Sequence, residues 1–256
     1  MTTAQSGWRT ASPEDLEGLA LGNFGHFTSM QVRGGRARGF AKHLERLAVS
    51  SEELFGRSVP EEGVRNAVVG ALAGRRDASI RVTVFGGNPD LVVWASADEP
   101  AEAGGPLRLM TVAHVRPAPH VKHTGTFAQT YYGRKARAEG FNDALFATEK
   151  GLVSETAIAN VGFWDGAAVV WPEAPQLPGI TMALIREGLE GKGVPQTRRP
   201  VGLGEIRSFH GMFACNSLGI SAVEGLDGRP LPVDEGLMEL VNGALESRDW
   251  EDIEAV

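Results

Sequence analysis

One segment of this chain breaks every regular pattern around it. Ala97–Pro106 reads ADEPAEAGGP, which is acidic, rich in Pro and Gly, and has no apolar periodicity. Such a stretch offers neither a strand face nor a helix stripe to a core, so it marks a boundary between folding units. A chain of 256 residues has enough core for two domains. The expected division is a small N-terminal domain over 1–96, a linker over 97–106 and a larger domain over 107–256.

Before that boundary the apolar spacing alternates between strand and helix periods. Phe27–Val32 reads as a strand turned by Arg33-Gly34-Gly35. Phe40, Leu44 and Leu47 then recur at helical spacing, which predicts a helix over 38–52. Val64, Ala67, Val68, Ala71 and Leu72 form an unbroken stripe and predict a second helix. Ile80, Val82 and Val84 alternate, Leu91–Trp94 is apolar, and Gly86-Gly87-Asn88-Pro89 between them reads as a hairpin turn. The first 20 residues are weakly patterned apart from a helix start at Ser12-Pro13-Glu14-Asp15.

After the boundary, strands are expected at Leu107–Ala113, Ala144–Ala147, Val161–Trp164, Ala168–Trp171, Met212–Cys215 and Ile220–Gly225. Helices are expected at Phe127–Glu139, from Thr181 to just before Gly191, and over Asp234–Leu245. The fold class is therefore α+β, with a small α/β domain followed by a larger mixed-sheet domain.

Charge and cysteine content remove several functions. The net charge of −7 gives no counterion-release affinity for DNA or RNA. Cys215 is the only cysteine, which excludes an internal disulfide, suits a reducing cytoplasm and reads as a small buried hydrophobe. No apolar run approaches membrane-spanning length, and the N-terminus lacks the basic and apolar regions of a signal peptide. His114, His120 and His123 lie close together, but prolines intervene and no carboxylate flanks them, so no metal site is expected. His43 is expected on a partly exposed helix face. There is no phosphate-binding Walker loop, no nucleophile elbow and no complete dinucleotide fingerprint.

Five loose motifs follow one another in order. They are His43-Leu44-Glu45-Arg46-Leu47; Val121-Lys122-His123-Thr124; Gly151 through Asn160, reading GLVSETAIAN; Leu177-Pro178-Gly179-Ile180-Thr181; and Cys215-Asn216-Ser217. This register resembles the fold-type IV pyridoxal-phosphate enzymes, which include branched-chain and D-amino acid aminotransferases and aminodeoxychorismate lyases. The resemblance runs from about Phe27 to Val223.

The resemblance implies pyridoxal 5′-phosphate as cofactor and a role for each matching residue. Lys122 matches the lysine that forms the cofactor's imine and carries the proton. Glu155 matches the carboxylate on the ring nitrogen, which keeps the ring an electron sink. Arg46 matches the basic residue on the phosphate, and Ile180 and Thr181 match its helix N-terminal cradle. Asn216 falls where the family often has a phosphate-binding threonine. Ile158 and Ala159 line up beside the ring, and the Ser217 amide faces the substrate carboxylate. The cofactor is expected in the cleft between the domains, with Arg46 from the first domain and Lys122 and Glu155 from the second.

Three positions depart from the family pattern. Phe127 stands where a tyrosine usually donates to the cofactor's phenolic oxygen, Met182 where an arginine is usual, and Thr28 where an acidic residue is usual. The implied activity is transfer of an amino group between a small amine or amino acid and a keto acid. The alternative is a lyase releasing pyruvate, which Phe27-Thr28-Ser29 and the Cys-Asn-Ser-Leu run favour. A third reading, which Phe127 favours, is a relative that keeps the fold and has lost turnover. A cytoplasmic homodimer is expected, acting on small molecules and binding neither nucleic acid nor membrane.

Overall fold

A computed structural model describes residues 8–86 and 90–254. The first elements are β1 (Trp8–Thr10), α1 (Pro13–Gly22), β2 (Gly25–Arg33), β3 (Arg36–Arg38), α2 (Phe40–Phe55), α3 (Glu61–Leu72), β4 (Ala78–Gly86) and β5 (Leu91–Asp98). They are followed by β6 (Leu107–Ala113), α4 (Phe127–Ala138), β7 (Asp143–Ala147), β8 (Val153–Thr156), β9 (Asn160–Trp164), β10 (Val169–Pro172) and α5 (Ile180–Gly191). The last are β11 (Gln196–Arg199), β12 (Gly211–Asn216), β13 (Gly219–Leu226), β14 (Arg229–Pro230), α6 (Glu235–Glu246) and β15 (Trp250–Asp252).

The chain forms two compact units. One comprises 1–101, 121–125 and 249–256; the other comprises 102–120 and 126–248. Two segments expected in the larger domain therefore belong with the first unit. Residues 121–125 join it through backbone pairing: the Phe27 N–H donates to Lys122 O and the Thr124 N–H to Gly25 O, each at 2.8 Å. The C-terminal strand β15 pairs antiparallel with β3, Trp250 opposite Arg38.

The first unit carries a six-stranded sheet in the order β1-β5-β4-β2-β3-β15. Alternation on its strands turns Met30, Val32, Ile80, Val82, Val84, Leu91 and Val93 to one face, where Phe40, Leu44, Leu47, Val64, Val68 and Leu72 of α2 and α3 meet them. Each such side chain stabilises by about 1.5–3 kcal/mol on full burial. The weakly patterned start yields α1, whose Ser12 and Asp15 form a reciprocal capping box. The expected turn at 86–89 extends beyond the described residues, but the strands it would join, β4 and β5, pair antiparallel.

The second unit carries a nine-stranded sheet, β11-β10-β9-β12-β13-β6-β7-β8, with β14 attached to β13. β8 pairs with both β7 and β9, so β9, β12, β13, β6, β7 and β8 close into a ring. Closure removes the free edges of these strands. Leu109, Leu145, Val161, Phe163, Met212 and Val223 cluster in one core of this unit. Helices α5 and α6 pack Ile185, Leu189, Leu237 and Val241 against Trp171 and Phe213. Their close approach requires Gly188, where a Cβ would stand 2.1 Å from the Ala244 carbonyl oxygen. The sequence pattern missed β8 because four residues, all buried, show no alternation.

Candidate active site

The residues singled out in the sequence fall on both units. Arg46 and Lys122 belong to the first, and Glu155, Ile158, Ala159, Ile180, Thr181, Asn216 and Ser217 to the second. Lys122 was expected from the second domain, but its backbone pairing with Phe27 ties it to the first.

In the first unit, Arg46 projects from α2 and donates through Nη2 to Thr28 Oγ1. Thr28 Oγ1 lies 2.5 Å from His43 Nδ1, and Arg46 Nη2 lies 3.5 Å from the same nitrogen. His43 is therefore not on a partly exposed helix face; it is 5% exposed. Burial, with the charges of Arg46 and Lys122, holds it well below the usual imidazole range. Arg46 Nε is buried with no acceptor, and burial depresses the guanidinium to about 10. A cation buried this way, with no carboxylate contributing to its ionisation, is a waiting partner for an anion.

The Nζ of Lys122 lies 4.8 Å from the centre of the Phe27 ring. The Arg81 guanidinium lies over the same ring at 3.6 Å, and burial alone lowers its pKa. Two cations thus contact one aromatic ring. The sequence reading missed Arg81, which the antiparallel pairing of β4 with β2 sets opposite Ser29, two residues from Phe27.

In the second unit a chain of hydrogen bonds gathers the remaining candidates. Glu155 is buried at the end of β8, and its Oε2 accepts from the Leu177 N–H at 3.1 Å. Arg116, also buried, brings Nη1 within 4.0 Å of Glu155 Oε1. The tight turn after Glu155 is closed by the Thr156 N–H donating to Ala159 O and by Thr156 Oγ1, which accepts from the Ile158 and Ala159 N–H groups. That turn leaves Ile158 62% exposed. Asn216 Nδ2 donates to Ile158 O at 3.4 Å, and Thr181 Oγ1 donates to Asn216 O at 2.8 Å. Ser217 occupies the two-residue turn between β12 and β13, where Asn216 pairs with Gly219.

Two further residues hold this arrangement together. Asn160 donates to Leu177 O at 2.8 Å and Gln176 Oε1 at 3.0 Å, fixing the loop that carries the Leu177 amide. Gly179 begins α5 beneath it, where a Cβ would stand 1.9 Å from Asn160 Oδ1. Asp143 is buried behind the turn and interacts with the Thr156 hydroxyl; burial pushes its carboxyl up. Asn160 ends the third motif, so the signal was present; Asp143 had no local signal.

The positions that depart from the family pattern are now placed. Phe127 is 78% exposed and stacks on Tyr131 at 5.9 Å. Met182 packs beside the α5–α6 core. Thr28 takes the contact with Arg46. Cys215 is buried, and burial pushes its thiol up to about 12. Among the described residues, no group of three His, Cys, Asp or Glu is arranged to hold a metal ion.

Residues 25–225 match the family model described as amino-transferase class IV, and the chain belongs to that family. Several solved structures share its fold. A hypothetical aminotransferase from Mycobacterium tuberculosis, in PLP-bound form, is 24% identical over 95% of this chain and 96% of that one, with a TM-score of 0.80. A fold IV transaminase from Curtobacterium pusillum is 23% identical over 90% and 89%, with a TM-score of 0.79. A candidate 4-amino-4-deoxychorismate lyase from Legionella pneumophila is 20% identical over 87% and 90%, also at 0.79. No curated protein matches the sequence.

Proposed function

We propose that the protein moves an amino group between a small amine or amino acid and a keto acid, using pyridoxal 5′-phosphate attached to Lys122. Membership of the class IV aminotransferase family makes it a pyridoxal-phosphate-dependent enzyme. The observation that carries the site reading is Arg46, a buried guanidinium with an orphaned Nε and no carboxylate partner. A phosphoryl group supplies the acceptor that this donor lacks. Within the second unit, the start of α5 suits an anion too, since no side chain caps it and no acidic residue stands in its first turn.

When bound, the cofactor supplies an aldehyde that captures amines and an aromatic ring that withdraws electrons. The chain's own residues do the rest. Arg46 and the backbone at Ile180 and Thr181 hold the phosphate, with Asn216 fixing the Thr181 hydroxyl. Glu155, braced by the Leu177 amide, accepts from the ring nitrogen's N–H. Ile158 and Ala159 flank the ring on a turn made rigid by Thr156. Lys122 Nζ takes the proton from the substrate's α-carbon and returns it, which is general acid–base work worth roughly 10²–10⁴-fold. Arg81 beside Lys122 supports a substrate bearing a carboxylate, together with the Ser217 amide.

The test is spectroscopic. The purified protein should be yellow, and borohydride should fix the cofactor covalently on the Lys122 peptide. Addition of a suitable amino acid should bleach the colour, and a keto acid should restore it. Failure of both, with pyruvate formed from aminodeoxychorismate, would establish the lyase reading instead; the likeness to the Legionella protein keeps that reading in view. The enzyme is further proposed to act as a cytoplasmic homodimer, with a solution mass twice 27.3 kDa. No helix among the described residues is long and apolar enough to cross a membrane.

A further inference from the structure

We propose that His43 and Thr28 are positioning residues that aim the Arg46 guanidinium at a phosphoryl group; the inference rests on the function proposed above. The argument is the donor environment of His43 Nδ1. Arg46 Nη2 donates to Thr28 Oγ1, so one lone pair of that hydroxyl is taken. The hydroxyl has a single proton, and the remaining neighbour, His43 Nδ1, stands 2.5 Å away. That nitrogen also faces the Arg46 Nη2 donor at 3.5 Å, so it is assigned as an acceptor, with the imidazole proton on Nε2. The relay runs one way, from guanidinium to hydroxyl to imidazole. It ties down Nη2 and leaves the buried Nε–H with no acceptor in the protein.

The arrangement works only with a neutral imidazole. A proton on Nδ1 would face Arg46 Nη2 across 3.5 Å and set two cations against each other. The charged groups acting on His43 are Arg46 on its own helix and Lys122 from the segment paired to β2, and both disfavour a protonated ring. Thr28, its hydrogen-bond partner on β2, is neutral. Threonine orients the guanidinium and leaves its charge for the ligand.

Apo-protein titrated separately with pyridoxal 5′-phosphate and with pyridoxal, which lacks the phosphate, tests this. The ratio of the two affinities isolates the phosphate contact. His43→Leu and the isosteric Thr28→Val should each cut pyridoxal phosphate affinity about tenfold or more, the worth of one hydrogen bond to a charged group, and leave pyridoxal affinity unchanged. His43→Asn, whose Oδ1 can stand where Nδ1 stands, and Thr28→Ser should restore the ratio.

A purely structural role would weaken both ligands together and would not be rescued by Asn. Such a result, or an unchanged ratio in His43→Leu or Thr28→Val, overturns the inference. If the wild-type protein binds no pyridoxal phosphate and borohydride attaches nothing to Lys122, the functional reading falls and takes the inference with it. If that attachment occurs and only the ratio fails to move, the inference falls alone.

Discussion

Arg46→Met separates what the guanidinium does for the fold from what it does for a ligand. Burial depresses Arg46 from the ordinary guanidinium value to about 10, a shift of between two and three pH units. At roughly 1.36 kcal/mol per pH unit this is about 3 kcal/mol held against the folded apo-protein. Since the folded pKa is the lower one, the penalty is fully present below pH about 10 and is relieved as pH rises from there toward the ordinary guanidinium value. It is therefore constant across any neutral assay. Methionine removes the penalty, keeps an unbranched stem and forfeits the bond to Thr28, about 1.5–3 kcal/mol. The net effect on the apo-protein lies between about zero and 1.5 kcal/mol of added stability. At about 2–4 °C per kcal/mol for a chain of this size, the apo melting temperature should stay level or rise by up to about 6 °C. The ligand side goes the other way. Two charge-assisted bonds to phosphate are worth about 3–6 kcal/mol, so the dissociation constant for pyridoxal phosphate should rise roughly 10²–10⁴-fold. Calorimetry of apo-protein with a cofactor titration reads both numbers. An apo-protein that melts about 5 °C lower with unchanged cofactor affinity would refute the reasoning, because Arg46 would then be a structural cation.

Lys122→Ala should abolish borohydride attachment and lower turnover by several orders of magnitude, with little change in melting temperature, as mass spectrometry and a coupled assay would report. Glu155→Gln should keep the attachment, since the amide can still accept from the Leu177 N–H, but turnover should fall far more than cofactor affinity. Arg81→Leu should raise KM for carboxylate-bearing substrates about tenfold or more while leaving the cofactor spectrum unchanged; equal kinetics on a simple amine and an amino acid in the wild type would count against this role. Cys215, buried with its thiol pushed up to about 12, should react with a thiol reagent at pH 8 only after the protein is unfolded.

The sequence was most legible where one face of an element repeats. The stripe Val64, Val68 and Leu72 places α3 because its burial is set by spacing alone. Strand β8 was invisible because a short segment buried on both sides carries no alternation. The membership of residues 121–125 was equally hidden. Two backbone hydrogen bonds to β2 decide it, and backbone groups leave no trace in residue identity. The same limit applies to Glu155 and Leu177. The carboxylate was readable as a motif residue, but the amide that braces it is contributed by backbone 22 positions away.

His43 was misread although the pattern contained its answer. It stands three residues after Phe40 and four before Leu47, both on the buried stripe of α2, so a partly exposed position was inconsistent with its own helix. On β2 the residues alternating with Met30 and Val32 toward the helices are His26 and Thr28, and all four are buried. Polar residues on the core-facing register of a strand and of the helix packed against it cannot be left without partners, because each unsatisfied buried group costs about 1–3 kcal/mol. The strand's two polar residues must then meet polar residues on the helix, and they do: His26 with Ser51 at 2.9 Å and Thr28 with His43 at 2.5 Å. One turn beyond His43 stands Arg46, whose Nη2 is drawn into the second of these contacts. A buried polar pair that recruits a cation, with no carboxylate contributing to its ionisation, carries a burial penalty that a bound anion would relieve, and the proposed phosphate contact would thereby draw on the packing of β2 on α2.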